Sequence, residues 1–213
     1  MIEIIPAILE HSVADVHAQL ERLQGVSPVV QIDLVGKNFL SGEDAMPLWD
    51  EFDFEFDLML PHPDAEIEHC VALGSSRIVV HAHDSGAHEA LLAIQHLRGG
   101  TYATEAGIAL AAGDTPDALQ SFLGLYDYVQ VMGIAREGSQ GQPFDERALA
   151  LIQNLRDAHP ARIIQVDGGV DRTNVAALVE AGASRLVVGH AIRNAINPKA
   201  ELQALRELVT PTL

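Results

Sequence analysis

The stretch Ile2-Glu3-Ile4-Ile5-Pro6-Ala7-Ile8-Leu9 decides the fold. It is a short run of apolar and β-branched residues. Ser12, a favourable N-cap, then opens a segment in which Val13, Val16, Leu20 and Leu23 share one helical face until Gly25. A strand followed by an amphipathic helix is a βα unit. No Gly-x-Gly-x-x-Gly joins the two halves, so the phosphate turn of a dinucleotide-binding open sheet is missing and no nucleotide cofactor is expected. The same unit repeats along the chain. Further strands are predicted over Pro28–Leu34, Phe54–Leu60, Arg77–His81, Ala103–Leu110, Tyr128–Met132, Arg162–Val166 and Arg185–Val188. Helices are predicted over Asp44–Phe52, Pro63–Leu73 and Ala87–Leu97, the last with Gly99-Gly100 as its stop. Others follow from Thr115-Pro116, over Phe144–Ala158, over Thr173–Ala181 with Gly182 as cap, and over Pro198–Leu208. Roughly eight βα units predict an α/β fold, a closed (β/α)8 TIM barrel, and the 213 residues sit at the short end of that architecture. No linker or charge block divides the chain, so one domain over 1–213 is expected.

Composition narrows the function. Lys and Arg number 13 against 30 Asp and Glu, a formal charge of −17 that repels nucleic acid and anionic lipid. The single cysteine, Cys70, leaves no internal disulfide and no zinc-binding cysteine pair. The N-terminus has neither the basic segment nor the long apolar core of a secretory signal, and no stretch reaches the ~18 apolar residues that span a bilayer. These features predict a cytoplasmic protein whose partner is a small molecule, with no nucleic acid and no membrane.

In a barrel, chemistry sits at the C-terminal ends of the strands and in the loops that follow them. In Val30-Gln31-Ile32-Asp33-Leu34 the side chains alternate, so Gln31 and Asp33 point into the barrel while Val30, Ile32 and Leu34 point out. Asp57 stands among apolar neighbours in the third strand, and Asp167 stands where the seventh strand stops. Any one of these aspartates would serve as an ordinary loop or helix cap. Three converging at one mouth, located by the barrel rule, predict a metal site or acid/base chemistry. Glycines form a second group: Gly138-Ser139-Gln140-Gly141, Gly168-Gly169 and Gly189-His190 follow the last three strands. Turns of this kind expose backbone N–H groups that bind phosphate without basic side chains. His81-Ala82-His83 is a weaker signal; one histidine packed at the mouth and the other solvated is the preferred reading over a metal pair.

Together these residues resemble the ribulose-phosphate 3-epimerase family of TIM barrels. The resemblance is carried by Ile5-Pro6-Ala7-Ile8-Leu9, Gln31-Ile32-Asp33-Leu34 with Phe39, Asp57-Leu58-Met59 with Pro63, and Val80-His81-Ala82. It continues through Gly113-Asp114-Thr115-Pro116, Met132 with Gly141-Gln142-Pro143-Phe144, Val166-Asp167-Gly168-Gly169-Val170 and Val188-Gly189-His190-Ala191. It implies epimerisation of a ketose phosphate at C3, with Asp33 and Asp167 as acid and base on opposite faces of an enediolate. It also implies a divalent metal, at positions occupied here by Gln31, Asp33, Asp57 and Asp167. Gln31 and Asp57 stand where the family has histidines, Ala7 where it has a serine, Gly36-Lys37 where it has Asp-Gly, and Ala135-Arg136-Glu137 where it has Asn-Pro-Gly. An all-oxygen donor set favours Mg²⁺ or Mn²⁺ over Zn²⁺. Two alternatives stay open at this point: a phosphosugar-binding barrel that does not epimerise, and a lyase on the same scaffold. The resemblance also allows a homo-oligomer.

Overall fold

A computed structural model describes residues 2–36, 49–98 and 103–210. Eight parallel strands close on themselves in sequence order: β1 (Glu3–Ile8), β2 (Val29–Val35), β3 (Asp53–Met59), β4 (Ser75–His81), β5 (Glu105–Leu110), β6 (Tyr128–Met132), β7 (Ile163–Asp167) and β8 (Arg185–Val188). β8 pairs back onto β1, Val187 opposite Ile5 and Val188 opposite Pro6. The predicted (β/α)8 barrel is therefore present, each strand within a residue or two of its expected place.

The helices are α1 (Val13–Leu23), α2 (Ile67–Ala72), α3 (Ala87–Arg98), α4 (Arg147–Ala158), α5 (Val175–Ala181), α6 (His190–Arg193) and α7 (Pro198–Val209). Caps fix several of their starts. Ser12 accepts from Asp15 N at 3.1 Å, and Asn197, ahead of Pro198, accepts from Ala200 N at 3.1 Å. Gly182 ends α5 in the left-handed region at φ 118°. Among the described residues no helix is long and apolar enough to cross a membrane.

Four departures from the sequence reading have local causes. The segment from Pro116 is a 3-10 helix, Pro116–Phe122, and its buried side chains Leu119 and Phe122 are three apart, the spacing that a three-residue turn stacks on one face. A 3-10 turn, Pro63–Glu66, likewise precedes α2. α4 begins at Arg147 rather than Phe144 because Asp145 N is tied to Gly133 O at 2.8 Å, which holds those residues in the loop. The short α6 follows β8 directly and has too few residues to show a periodicity. The expected Lys37, Phe39, most of the helix Asp44–Phe52 and the Gly99-Gly100 stop lie outside the described residues; Trp49–Phe52 form a turn.

The apolar core lies outside the barrel. Val30, Ile32 and Leu34 of β2, Phe54, Phe56 and Leu58 of β3, and Ile164 and Val166 of β7 pack in one cluster with Val16, Leu20, Ile67, Leu91, Leu151 and Leu205 from the surrounding helices. Removing such side chains from water is the main stabilising contribution.

The barrel's interior is mixed: Ile5, Ala7 and Val187, and Val79, Ala109, Tyr128 and Met132, pack there beside an extensive set of polar groups. At its lower end Arg77 lies 3.1 Å from Glu3 and 3.5 Å from Glu55, while Arg185 lies 3.2 Å from Glu3 and 2.9 Å from Glu105. Arg185 also stacks over the Tyr128 ring, 4.9 Å from its centroid. That ring crosses the interior only because Gly107 on the neighbouring strand has no side chain; a Cβ there would lie 2.5 Å from Tyr128 Cζ. Glu55 has no exposure, and burial, outweighing Arg77, pushes its pKa from the ordinary 4.5 up to about 7.

An acid with a raised pKa in the folded state holds its proton more tightly folded than unfolded. Its stabilising contribution is complete below pH 4.5 and is lost as pH rises to about 7. Urea unfolding across that window will show stability declining with pH. Glu55→Gln will flatten the decline by as much as about 3 kcal/mol, at roughly 1.36 kcal/mol per unit; an unchanged slope would contradict this origin.

Candidate active site

Strand alternation brings the polar side chains of β2, β3, β4, β6 and β7 to the upper interior. Gln31 and Asp33 do share the inward face of β2, as their spacing predicts, and both are buried. Asp57 and Asp167 join them, and one oxygen from each of Asp33, Asp57 and Asp167 lies within 4.8 Å of the others. The three carboxylates thus converge.

Their hydrogen bonds divide them into two kinds. Gln31 Nε2 donates to Asp33 Oδ1 at 2.8 Å and to Asp167 Oδ2 at 2.9 Å, so one amide bridges both groups. Asp57 is held on both oxygens: His81 Nε2 donates to Oδ1 at 2.7 Å and Gln130 Nε2 to Oδ2 at 2.8 Å. Below them Gln165 Nε2 reaches Gln130 Oε1 at 2.8 Å, Gln31 Oε1 at 3.5 Å and the Glu55 carboxylate. Gln130, Gln165 and Glu55 form a floor on which the carboxylates rest. Asp33 and Asp167 line the cavity above, whereas Gln31 and Asp57 do not. No protein donor reaches Asp33 Oδ2 or Asp167 Oδ1 among the described residues.

Burial first, then Asp167 and Asp57, raises the Asp33 pKa well above the carboxylate range against the opposing hydrogen bond from Gln31. Burial and Asp57 push Asp167 up to about 8. For His81 burial acts downward, but Asp57 and then Glu137 outweigh it and leave the imidazole well above its ordinary value. Its Nδ1 is 3.1 Å from Glu137 Oε1, an ion-pair distance off the line of a hydrogen bond. The second histidine of the pair, His83, is exposed and meets Asp114 at 2.9 Å. One packed and one solvated histidine is the arrangement preferred on sequence grounds.

Two features of the expected metal set change. Gln31 turns its nitrogen to the carboxylates and its oxygen to Gln165, because only an N–H satisfies two buried acceptors; it offers no ligand oxygen to the cluster. Both nitrogens of His81 face carboxylates, so no free imidazole nitrogen is available either. Asp33, Asp57 and Asp167 remain, an all-oxygen group that suits a hard divalent cation.

The glycine loops converge as expected. Gly138, Ser139, Gln140, Gly141, Gly168, Gly169, Gly189 and His190 all border one cavity of about 460 Å³, a size suited to a small metabolite. Leu9, Met59, Met132, Ile134 and Val187 supply its apolar wall, and among the described residues no lysine or arginine lines it. Among the described residues the backbone N–H groups of residues 138–141 have no protein acceptor. The Gln140 amide, its nitrogen and oxygen both buried and unpartnered, lies directly against Gly189, where any side chain would collide with it. Sequence reasoning missed Glu55, Gln130, Gln165, His81 as the partner of Asp57, and Glu137. For Gln130 and Gln165 a signal existed, since each is the polar residue midway along an inward face.

Residues 6–193 match the model of the ribulose-phosphate 3 epimerase family. The ribulose-phosphate 3-epimerase of Aquifex aeolicus is 32% identical over 157 residues, 71% of this chain and 68% of that protein. That of Schizosaccharomyces pombe is 26% identical over 218 residues, 97% of this chain and 93% of its own length. Among solved structures, 3-hexulose-6-phosphate synthase from Salmonella typhimurium superposes with a TM-score of 0.72 at 14% identity, over 97% of this chain and 98% of its own. That likeness concerns the barrel alone.

Because one amide serves both carboxylates, Gln31→Leu will lower stability at pH 7 by about 1–3 kcal/mol for the acceptors left unmatched. The loss measured by urea unfolding will grow at pH 9, above the value of about 8 to which Asp167 is pushed, because the ionised carboxylates need the donor more.

Proposed function

The chain belongs to the ribulose-phosphate 3-epimerase family, and we propose that it epimerises a ketose phosphate at C3 with Asp33 and Asp167 as the acid and base. The observation that carries this reading is that, of the clustered polar residues, these two line the cavity and each keeps one oxygen free of donors among the described residues. Inversion needs one carboxyl to start ionised and the other protonated. Mutual repulsion and burial favour such a shared proton, and the raised pKa values of both groups are its signature. The ionised carboxylate takes the C3 proton, C3 becomes planar in the enediolate, and the other carboxyl returns a proton to the opposite face.

The phosphate end would sit against the loops at Gly138–Gly141, Gly168-Gly169 and Gly189-His190. Their N–H groups, unpaired among the described residues, supply donors there without needing a cationic side chain. The orphaned Gln140 amide adds a side-chain donor at the same place. Leu9, Met59, Met132 and Ile134 exclude water from the carbon being deprotonated.

Asp33, Asp57 and Asp167 would hold a divalent cation, Mg²⁺ or Mn²⁺ in preference to Zn²⁺, since the group holds no histidine among the described residues and both nitrogens of His81 face carboxylates. Such an ion supplies compensation for negative charge developing on the enediolate oxygens.

Two experiments test these assignments. With ribulose 5-phosphate in D₂O the protein will introduce deuterium at C3, and Asp33→Asn or Asp167→Asn will cut that exchange by at least ~10²-fold while inorganic phosphate still binds. Equal exchange in wild type and both variants would refute the pair, and no exchange in the wild type would favour a barrel that only binds its ligand. Separately, calorimetric titration will give binding of Mn²⁺ and Mg²⁺ that Asp57→Asn weakens. Tight stoichiometric zinc on these three aspartates would contradict the donor argument.

A further inference from the structure

The loop from β6 to α4 does more than border the cavity, because it crosses the mouth and touches other strand ends. Gly138, at φ 73°, lies so close to the end of β2 that a Cβ there would come within 2.7 Å of Val35 Cγ1. Gly141, at φ 80°, lies against the His190 ring after β8, 3.1 Å by the same measure. Between β6 and Gly138, Glu137 reaches down to β4, its Oε1 3.1 Å from His81 Nδ1. The opposite nitrogen of the same imidazole donates to Asp57 Oδ1 at 2.7 Å, and Asp57 lies with Asp33 and Asp167 inside 4.8 Å. A continuous polar path thus runs from the loop through one ring to the carboxylates.

Three observations separate Glu137 from the rest of that machinery. It does not line the cavity, so it does not touch the bound sugar. Among residues 135–141 it is the one whose side chain makes a polar contact with the interior of the barrel. His81 is almost wholly buried whereas the Glu137 side chain is about a third exposed, which makes Glu137 the movable half of the pair.

We propose that Glu137 is a positioning residue that pins the β6–α4 loop to the carboxylate cluster through His81, so that seating the loop on a phosphate group and orienting Asp57 beneath Asp33 and Asp167 are one event. The proposal rests on the reading of this loop as a phosphate site. It gives the chain a mechanical link between the distal end of the substrate and the reacting carbon. The remote phosphate then contributes to kcat as well as to binding.

A double-mutant cycle on the full chain tests it, with Glu137→Ala, His81→Gln and the two combined. The readouts are affinity for inorganic phosphate, kcat and KM for ribulose 5-phosphate, and amide hydrogen exchange over residues 137–142. Glu137→Ala will weaken phosphate binding about tenfold, speed amide exchange in the loop, and lower kcat as well as raise KM. Glu137→Gln, which keeps the length of the side chain but removes its charge, will recover only a small part of the loss, because the contact with His81 Nδ1 is an ion pair. The double variant will be no worse than His81→Gln alone. Wild-type phosphate affinity and kcat in Glu137→Ala, or losses that simply add in the double variant, would overturn the proposal; a rise in KM with kcat untouched would reduce Glu137 to a loop contact and overturn it too. The phosphate and amide-exchange arms read the tether even in a protein that exchanges no C3 proton. Silence of the exchange assay alone therefore counts against the epimerase reading and not against the tether.

Discussion

Three carboxylates packed within 4.8 Å of one another inside a barrel are the constraint from which the rest of the interior follows. Buried charge of one sign is costly, and every layer beneath it is arranged to reduce that cost. Gln31 spends its whole donor capacity on Asp33 and Asp167, so its oxygen must find a donor elsewhere. The nearest is Gln165, whose two amide hydrogens go first to Gln130 and Glu55 and leave only a long 3.5 Å contact for Gln31. Gln130 in turn donates to Asp57, and the arginines at the lower end balance Glu3, Glu55 and Glu105. A barrel filled by branched aliphatic side chains needs none of this, since its layers interlock by shape. Here donors and acceptors link the layers beside two small apolar clusters, and most of the apolar contribution to stability lies at the sheet–helix interface.

The same constraint accounts for how the chain departs from its family pattern. An imidazole is absent at the positions of Gln31 and Asp57, yet one reappears on Asp57 from the next strand as His81. The imidazole there is a hydrogen-bond donor and counter-charge, not a free ligand, because both of its nitrogens face carboxylates. An amide in place of the other imidazole bridges the two aspartates that line the cavity. Gln31 donates to the two aspartates and Asp57 accepts from its neighbours, and among the described residues carboxylate oxygens are the groups that a cation could meet there.

Much of this was legible in the chain before any coordinates. Alternation in Val30-Gln31-Ile32-Asp33-Leu34 put Gln31 and Asp33 inside and the aliphatic residues outside, and that is where they are. The glycine loops after the last three strands were correctly placed around one cavity, because the order of a closed parallel barrel leaves no other geometry. What escaped notice was contact between strands far apart in sequence. Gln165 meets Glu55 across 110 residues and Gln130 meets Asp57 across 73, distances over which no local pattern operates. The orientation of the Gln31 amide was unreadable for a related reason, since it depends on which neighbours need hydrogen atoms. Glu137 looked like a lost motif because its partner, His81, lies on a different strand. The 3-10 turns and α6 are shorter than the window over which helical periodicity becomes visible.

The central claim is that Asp33 and Asp167 share a proton because they are buried together over a neutral amide. NMR titration of the two side-chain carboxyl carbons, assigned through Asp33→Asn and Asp167→Asn, tests it most directly. The account predicts that the pair titrates as a coupled unit, with Asp167 near 8 and Asp33 also displaced far upward. Two independent titrations in the ordinary aspartate range, near pH 4, would contradict it.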